Sequence, residues 1–512
     1  MNGCWDYGPL GVELLKNIKE EWWKVMTYRE DVEGIDAAIL MHPRVWEASG
    51  HVENFTDPMI DCKQCKSRFR LDVLGDSISE KKQTKAINEL KNKLNGKDDL
   101  LQELEGIYAD PGDEDPFNLV LENERLGKLL LEELNCPQCG NKNTFTEARK
   151  FNLMFKTFIG PVEDTNAVVY LRPETAQGIY VNFLNVQSAS RQKLPFGIAQ
   201  IGKAFRNEIS PRDFLFRARE FEQLEIEYFV RPKESKCPLL TRVHRDMSFK
   251  FYSAKDQKNG RKQKKVILSS LISKRIIGQW HAYWLAESYK WFLELGINAT
   301  NLRVREHTED ERSHYSSGTF DIDYNFPFGW KEIFGIANRG QFDLTEHEKY
   351  SGRSMHIYDE VTKEKLIPRV IEPSFGLDRA FLTVIYNAYH DDKDRGNIVL
   401  KLHPKLAPIQ VAVFPLVNKL DEDALKVYLL LKKEFRSTFD RSGSIGRRYA
   451  RADEIGIPFC ITYDFDSLKD NSVTIRQRDT TKQIRVPITN IKQILSELIT
   501  GSDFDSQGKP VK

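Results

Sequence analysis

The feature that most constrains the fold of this chain is an alternation of residue types between positions 217 and 230. The odd positions are charged, amide-bearing or aromatic, namely Arg217, Arg219, Phe221, Gln223, Glu225 and Glu227. The even positions include the apolar or aromatic residues Leu224, Ile226, Tyr228 and Val230. Because successive side chains of a strand point to opposite faces, the pattern predicts a strand with one face in an apolar core and the other turned toward a ligand.

A related set of charged residues lies just upstream, in Phe205–Arg212, where Arg206 and Glu208 repeat the two-residue period. Guanidinium groups bind phosphate oxygens as planar, permanently charged forks. The ring of Phe221 can stack on a purine, and a carboxylate can accept a hydrogen bond from its exocyclic amine. We therefore expect strand, loop and strand to hold a nucleoside triphosphate without a glycine-rich loop. A surface strand with salt bridges is the alternative, and Phe221 on the polar face argues against it.

A second candidate for phosphate binding is the segment Ile371–Arg379, which precedes the apolar run 380–385. The sequence predicts a short strand ending at Gly376 and a helix with Arg379 in its first turn. Backbone amides at a helix start favour an anion, and Arg379 can reach a phosphate. By itself this arginine is equally consistent with a surface salt bridge.

Near the N-terminus, an apolar stripe predicts an amphipathic helix. Its members are Leu14, Ile18, Trp22 and Val25, which fall on one helical face. A strand then leads to Pro43. On its own, this pattern is equally typical of an ordinary core helix.

Composition describes a globular, water-soluble protein of two to four domains, since the chain has 512 residues, 40% of them hydrophobic and 29% charged. No apolar run approaches the roughly 20 residues of a membrane span, so no membrane partner is expected. No secretory leader is recognised, and the odd number of cysteines, seven, indicates a reducing compartment, so we expect a cytoplasmic protein.

The net charge of +1 does not by itself indicate a nucleic-acid partner, so any RNA contact must come from local patches of basic residues.

Four of the cysteines form two CxxC pairs, Cys62/Cys65 and Cys136/Cys139. Each pair suits one half of a tetrahedral Zn²⁺ site, and we expect a structural zinc ion. Thiols that have lost their metal, or a redox pair, are the alternatives. The pairs bound a charged stretch, predicted to be rich in helices between Asp76 and Asn135 with a turn-rich break at Asp110–Pro116.

Taken together, these segments resemble the class II aminoacyl-tRNA synthetases. Phe205–Arg212 with Arg217–Phe221 resembles the second signature motif of that class, Ile371–Arg379 the third, and the N-terminal helix, strand and proline the first. The residues of the second motif and of the opening Asn2–Gly11 resemble those of the glycine-specific enzymes of homodimeric type. Such enzymes usually have a strand and helix before this opening, so we expect either a truncated chain or a misassigned Met1. A real truncation would put the dimer interface in doubt.

The resemblance implies an α+β fold and a division of the chain into four parts. Residues 1–61 would be catalytic core with the first motif, and 62–147 an inserted zinc-ribbon and helical segment. Residues 148–403 would be catalytic core with the other two motifs and an irregular insertion at about 231–275, whose basic run between Lys255 and Lys265 suits either tRNA phosphates or a solvated loop. Residues 404–512 would be an α/β anticodon-binding domain with a helix at Asp421–Phe439, turn residues at Tyr449–Glu454 and a frayed end from Ser502.

For the nucleotide, the resemblance implies that Arg206, Glu208 and Arg379 act in catalysis. Arg206 would hold the α-phosphate, Glu208 would read the adenine amine, and Phe221 and Arg379 would sandwich the adenine, Arg379 alternatively engaging the γ-phosphate. Arg212 and Arg217 would meet the outer phosphates or the tRNA end, and Mg²⁺ would be held by Glu332 with phosphate oxygens. The full ATP-binding set is Arg206, Asn207, Glu208, Phe216, Arg217, Phe221, Glu332, Ile333, Gly376 and Arg379.

For the amino acid, the resemblance implies a pocket of carboxylates that suits the ammonium group of glycine. Its members would be Arg70, Glu174, Phe221, Glu225, Arg339, Glu372 and Ser374. Glu372 and Ser374 share strand parity and can face one pocket. Since no smaller amino acid competes with glycine, steric exclusion suffices and no editing site is required.

The implied activity is that of a ligase which activates glycine with ATP and transfers it to tRNA(Gly), as a homodimer formed through the first motif. Two alternatives stay open. One is a catalytically inactive relative that binds nucleic acid or regulates a partner, and the other is a class IIa synthetase for another amino acid. Presence of both motif arginines, Arg206 and Arg379, argues against the first, and the pocket set argues against the second.

Overall fold

The computed structural model describes residues 3–109, 115–164, 167–209, 211, 214–309, 311 and 318–511. Arg212 and most of the predicted break at Asp110–Pro116 lie outside these residues. Within the described chain, no helix is long and apolar enough to span a membrane.

The centre of the molecule is a nine-stranded sheet that is mainly antiparallel. In spatial order its strands are Val32–Ile35, Phe196–Phe205, Glu220–Val230, Arg369–Gly376, Gly329–Gly340, Thr319–Phe326, Leu302–Glu306, Ser248–Tyr252 and Lys264–Ile267. Only the Val32–Ile35/Phe196–Phe205 and Ser248–Tyr252/Leu302–Glu306 pairs among these are parallel. The expected α+β class with an antiparallel core is confirmed.

One face of the sheet is covered by three long helices, Pro9–Thr27, Gln279–Glu294 and Leu377–Ala388. The even-numbered residues Leu224 to Val230 of the strand Glu220–Val230 pack there, in a core that also holds the apolar side of the first helix. The predicted stripe is buried as expected at Leu14, Ile18 and Trp22, while Val25 is partly buried. The alternation in the sequence therefore reports which face of the sheet is covered by helices.

The opposite face carries the helices Ala176–Ala189 and Phe342–Ser351, which pack in a smaller core beside the sheet. Shorter helices and strands surround the central sheet. The helices are Pro43–Ala48, His51–Asn54, Arg242–Arg245, Ala254–Lys258 and Leu268–Ser273. The strands are Leu40–Met41, Lys156–Phe158, Val168–Leu171, Ile357–Asp359, Glu364–Leu366, Tyr389–Asp392 and Asn397–Leu400.

The segment between the cysteine pairs is helical and has its own core. Its helices are Glu80–Lys93, Asp98–Ala109, Pro116–Glu122 and Glu124–Glu133. A three-stranded sheet of Thr56–Asp61, Arg68–Arg70 and Arg149–Asn152 joins it to the rest of the chain. Cys62 and Cys136 are buried in the same apolar cluster as these helices, so the cysteine pairs lie where the segment leaves and rejoins the chain.

The C-terminal part is a separate six-stranded mixed sheet with its own core. In spatial order its strands are Ser437–Phe439, Val411–Pro415, Phe459–Tyr463, Ser472–Gln477, Gln483–Pro487 and Lys509–Pro510. Its helices are Asp421–Leu431, Ile445–Glu454, Ser467–Asp470 and Ile491–Thr500.

Three local predictions for this part were wrong. The helix from Asp421 ends at Leu431, because Ser437–Phe439 pairs as a parallel strand with Val411–Val413. Tyr449 lies within the helix Ile445–Glu454 rather than among turn residues. The C-terminal end is not frayed throughout, since Phe504 is buried and Lys509–Pro510 pairs with Ile484–Arg485.

The region 231–275 is more regular than its sequence indicates. Two of its strands, Ser248–Tyr252 and Lys264–Ile267, extend the central sheet to its far edge. The basic run at 255–265 therefore lies at the edge of the sheet that carries the candidate site.

Candidate active site

A cleft opens along the uncovered part of the central sheet. Many of the predicted ATP-binding residues line it together, namely Arg206, Glu208, Phe216, Arg217, Phe221, Glu332, Gly376 and Arg379. Gln223, Ser374 and Asp378 also line it. Asn207 and Ile333 are absent from this lining.

Arg206 lies over the ring of Phe221. Its guanidinium carbon is 5.2 Å from the Phe221 ring centroid and 5.5 Å from that of Phe55, and its Nε donates to the carbonyl oxygen of Pro173 at 3.1 Å. Cation–π contacts and this hydrogen bond fix the guanidinium plane. Arg206 is thereby presented to the cleft in one orientation.

Glu208 is a buried carboxylate whose partner is Arg217. The Nε and one terminal nitrogen of Arg217 donate to Oε2 of Glu208 at 2.7 and 2.6 Å. Asn207, which precedes Glu208, donates its backbone N–H to the carbonyl oxygen of Leu153 at 2.8 Å. The loop after the strand Phe196–Phe205 is therefore held by its own charges beside the cleft.

Arg379 projects from the first turn of the helix Leu377–Ala388 and lies over Phe216, 4.4 Å from the ring centroid. It donates to Oε1 of Glu332 at 2.9 Å. Two of the three arginines that line the cleft thus lie over different rings, Arg206 over Phe221 and Arg379 over Phe216.

Glu332 faces the cleft because of a β-bulge. In the pairing with Thr319–Phe326, Ile322 is opposite Phe334 and Asp323 is opposite Glu332, so Ile333 is the extra residue. The bulge sends Ile333 into the core and leaves Glu332 on the same side as Gly335. Ile333 can therefore offer a ligand only its backbone.

Adjacent to the cleft, three carboxylates meet on neighbouring strands. Oxygen atoms of Glu225, Glu227 and Glu372 lie within 4.8 Å of one another, and all three residues are buried. Thr175 donates to Glu225, Tyr180 donates to Glu227 at 2.6 Å, and Ser374 is directly opposite Glu225 in the sheet.

Burial and repulsion between neighbouring carboxylates raise the pKa values of these three groups. Burial raises the pKa of Glu225, and the charge of Glu174 raises it further. Burial likewise raises the pKa values of Glu227 and Glu372 well above the ordinary range. A cation entering this pocket would relieve the repulsion, so the pocket favours a small ammonium group.

Glu174 differs from the other three acids. Burial alone would raise its pKa, but the charges of His51 and Arg339 and a hydrogen bond from Gln177 hold the pKa well below the usual range. Nε2 of His51 is 3.4 Å from Glu174, and Gln177 donates to it at 3.0 Å. Glu174 therefore supplies a fixed negative charge that acts on Glu225 and Glu372.

Arg339 is buried and held from two sides. Asp343 accepts two hydrogen bonds from it at 2.7 Å each, and Glu372 accepts one at 2.8 Å. The remaining predicted pocket residue, Arg70, contacts Asp57 at 3.1 Å and Asp72, and Asp57 is 3.9 Å from Arg217. Arg70 is thus on the Glu208 side of the site, whereas Glu174, Glu225, Arg339, Glu372 and Ser374 come together.

The four predicted metal ligands also come together. The Cys62–Cys139 and Cys65–Cys136 sulfur pairs are each 3.7 Å apart, and all four Sγ atoms lie within 4.8 Å of one another. Tetrahedral Zn–S bonds of about 2.3 Å place sulfurs about 3.8 Å apart, whereas a disulfide would bring them to about 2.05 Å. A hydrogen bond with Thr144 lowers the pKa of Cys62 to about 6. The donor set fits Zn²⁺.

Sequence reasoning missed several residues that complete the site: Tyr7, His51, Thr175, Gln177, Tyr180, Glu227, Asp343 and Asp378. Glu227 was visible in the polar row of its strand, and Asp343 follows Arg339 by four residues. Asp378 and Tyr7 lie within the segments Ile371–Arg379 and Asn2–Gly11, and Thr175 and Gln177 follow Glu174 closely, but nothing in those segments marks these side chains as site residues. His51 and Tyr180 lie outside the segments that the sequence singled out.

Comparison with known families agrees with this architecture. The family model described as "tRNA synthetase class II core domain (G, H, P, S and T)" matches residues 160–258, and "Anticodon binding domain" matches 410–498. The molecule is thus built as a class II aminoacyl-tRNA synthetase, with a catalytic core followed by an anticodon-binding domain.

Its curated relatives narrow the assignment. Glycine–tRNA ligase of Caldanaerobacter subterraneus is 48% identical over 96% of this chain and 92% of the relative. The corresponding proteins of Clostridium kluyveri and Geobacillus kaustophilus are each 45% identical over 97% of this chain and 92% and 93% of their own lengths. The chain belongs to the glycine–tRNA ligase family.

Proposed function

We propose that this protein is a glycine–tRNA ligase, which joins glycine to the 3′ end of tRNA(Gly) at the expense of ATP. The observation that carries the proposal is the juxtaposition of an arginine-walled cleft with a buried carboxylate pocket on adjacent strands. Together they provide a place for a triphosphate beside a place for a small ammonium group. Family membership supports the same activity.

In the first step, a carboxylate oxygen of glycine attacks the α-phosphorus of ATP, and diphosphate leaves. Arg206, held in one orientation by Phe221 and Pro173, would neutralise the charge that develops on the α-phosphate. Arg379 would bind the outer phosphates or cover the base, with Phe216 beneath it. Such sites act by positioning and electrostatics, without a covalent protein nucleophile.

Recognition of adenine would fall to Glu208 and Phe221. Arg217 already holds the Glu208 carboxylate, so the orientation of its oxygens is fixed before the base arrives. The adenine amine would donate to this carboxylate while the ring stacks on Phe221. Phe216, Gly376 and the backbone of Asn207 and Ile333 would complete the ATP contacts.

Glycine would bind with its ammonium group at Glu174, Glu225 and Glu372. Ser374, opposite Glu225, would lie near the α-carbon, and Arg339 near the glycine carboxylate. Arg70 and Phe221 would border the pocket from the nucleotide side. In the second step, a ribose hydroxyl at the tRNA end attacks the glycyl carbonyl carbon, and AMP leaves.

Two metal ions belong to the proposal. Mg²⁺, bound to ATP oxygens and Glu332, would offset phosphate charge; Glu332 is suited to this because its carboxylate faces the cleft. Zn²⁺ at Cys62, Cys65, Cys136 and Cys139 would hold together the two ends of the helical insertion, a structural role.

Domain boundaries follow from the same assignment: core at 1–61 and 148–403, insertion at 62–147, and anticodon-binding domain at 404–512.

A second copy of the chain would bind at the first motif. The strands Leu40–Met41, Val168–Leu171 and Lys156–Phe158 form a three-stranded sheet there. Within or beside this sheet, Ile39, Leu40, Phe158 and Ile159 have exposed fractions of 36–55%. An apolar patch of this kind suits a self-complementary contact, and sedimentation of the wild type against Leu40→Glu tests it.

Amino-acid-dependent exchange of labelled diphosphate into ATP tests the activity, with Mg²⁺, all twenty amino acids in turn and no tRNA. We expect exchange with glycine alone. Exchange with another amino acid would retain the synthetase class and refute the pocket assignment. Absence of exchange with all twenty, also in an N-terminally extended chain, would favour an inactive nucleic-acid-binding relative.

A further inference from the structure

Beyond the ATP cleft, the same face of the sheet carries a stack of cationic and aromatic side chains. The guanidinium of Arg303 lies between two rings, 4.7 Å from the centroid of Tyr252 and 4.6 Å from that of Trp330. Nζ of Lys250 lies 5.7 Å from the Trp330 ring. We call Lys250, Tyr252, Arg303, Trp330 and Lys265 the cation–aromatic patch.

The patch is continuous with the active site through the sheet. Trp330 precedes Glu332 by two residues on one strand, so both share a face. Asp323 pairs with Glu332 on one side and with Arg303 on the other, and Arg303 donates to it at 2.8 Å.

At its outer end the patch reaches the edge strand, where Lys265 is opposite Lys250. Four strand spacings separate the strand of Glu332 from that of Lys265, about 19 Å. The patch therefore extends from the Glu332 side of the cleft to the edge of the sheet.

The rim is strongly basic although the whole chain is not. Between 250 and 275, Asp256 is the only acidic residue, and it is paired with Lys264 at 2.8 Å. The same stretch contains nine lysines and arginines, in a chain of net charge +1. Lys255, Arg261, Lys262 and Lys265 are exposed.

Lysines on an edge strand can simply prevent association of sheets. That role does not require aromatic rings on the face of the sheet, and it does not require continuity with a nucleotide cleft. Ring faces beside cations are what unpaired nucleotides use, through base stacking together with phosphate contacts.

We infer that the cation–aromatic patch and the basic rim bind the acceptor end of tRNA, with phosphates on the lysines and a base on Trp330 or Tyr252. This inference rests on the proposed function for the identity of the RNA. It assigns to the basic run and its neighbouring strands a positioning role in the transfer step and none in activation of glycine.

The test measures binding of transcribed tRNA(Gly) to the full chain by fluorescence anisotropy at a series of salt concentrations. Lys262→Glu with Lys265→Glu should weaken binding at least tenfold and reduce the log–log salt slope by one to two. Lys81→Glu with Lys82→Glu, the same charge change on the exposed start of the helix Glu80–Lys93, should alter affinity less than twofold. Trp330→Leu should weaken binding about fivefold or more with the salt slope unchanged.

Unaltered affinity and slope in Lys262→Glu/Lys265→Glu would overturn the inference, and so would an equal loss in the Lys81/Lys82 variant. A change in self-association with RNA binding intact would overturn it in favour of a protein contact. Glycine-dependent diphosphate exchange, measured in parallel without tRNA, should be unchanged in the rim variants. If the wild type lacks exchange but the patch variants still lose RNA, the proposed function fails and the patch inference stands.

Discussion

The phenol of Tyr7 donates a hydrogen bond to Oδ1 of Asp378, joining two residues 371 positions apart. Oδ2 of the same aspartate accepts from the backbone N–H of Glu222 at 2.8 Å. Asp378 precedes Arg379 and lines the ATP cleft. One carboxylate therefore ties the N-terminal segment and the central strand to the helix that presents Arg379.

Replacing Tyr7 with Phe should lower the free energy of unfolding by about 1.5–3 kcal/mol, the range for a hydrogen bond to a charged group. The KM for ATP should rise more than the KM for glycine, because the lost contact supports Arg379. Diphosphate exchange and urea denaturation measure both effects. Tyr28→Phe removes a hydroxyl from a side chain that is 76% exposed and should change neither.

Loss of Arg206 or of Arg379 should abolish adenylate formation. Arg206→Ala and Arg379→Ala should each reduce glycine-dependent exchange at least 10²–10³-fold, the scale for removing a group that stabilises transition-state charge, with circular dichroism unchanged. Arg441→Ala, on the C-terminal domain, is the matched control in this tRNA-free assay. Substantial exchange in either cleft variant would contradict the phosphate assignments.

The carboxylate pocket predicts a selective loss of glycine binding. Glu225→Gln keeps the size of the side chain but removes a charge that would face the ammonium group, so the KM for glycine should rise at least tenfold while the KM for ATP changes little. Glu220→Gln alters a partly exposed acid of the same strand, paired with Lys203, and should leave both unchanged. Equal increases in the two KM values would refute the ammonium role.

The cysteine cluster predicts one zinc ion per chain in reduced, purified protein, measured by elemental analysis. Cys65→Ser should lose the metal and make the insertion sensitive to proteolysis, because the two ends of the segment are then no longer held together. Cys4→Ser, which alters an exposed cysteine outside the cluster, should retain both zinc and resistance. Metal-free wild type with an intact insertion would remove the zinc assignment.

Glu227 predicts a pH effect on stability. Burial, then the charge of Glu372, raises its pKa in the folded protein, so the folded state retains a proton that the unfolded state releases above its ordinary pKa of about 4.3. Stability due to this group is therefore full at low pH and declines as pH rises toward the folded pKa, by up to about 1.4 kcal/mol per pH unit.

Glu227→Gln keeps a partner for Tyr180 and removes the titration. We expect the variant to gain stability relative to wild type between pH 5 and pH 8, as measured by urea denaturation at each pH. Stability curves that run parallel over this range would show that Glu227 is ionised in the folded protein.

Local sequence predicted those parts of the site that depend on local periodicity. The polar and apolar rows of 217–230 predicted which face of Glu220–Val230 meets the helices, and the strand does so from Leu224 onward. The strand-to-helix change after Gly376 and the clustering of the two CxxC pairs followed equally directly. The first two patterns lie within a few residues of chain, whereas the meeting of the two CxxC pairs followed from the four thiolates that a tetrahedral zinc site requires.

Features that depend on a distant partner were beyond sequence reasoning. The helix from Asp421 was predicted too long because Phe439 suits the end of a helix as well as a strand, and only the neighbouring strand selects between the two. Tyr7 and Asp378 carry no mark that they will meet.

Taken alone, the sequence determined which residues are cationic, acidic or aromatic and which share a face of a regular strand. Tertiary structure decided where that regularity is interrupted: the bulge at Ile333 turns Glu332 toward the cleft beside Gly335, although strict alternation would separate them. It also decided that Glu225 and Glu372 are neighbours, since their strands pair across more than a hundred residues of chain. Strand pairing and bulges are set by the partner strand, so their geometry is absent from the local sequence.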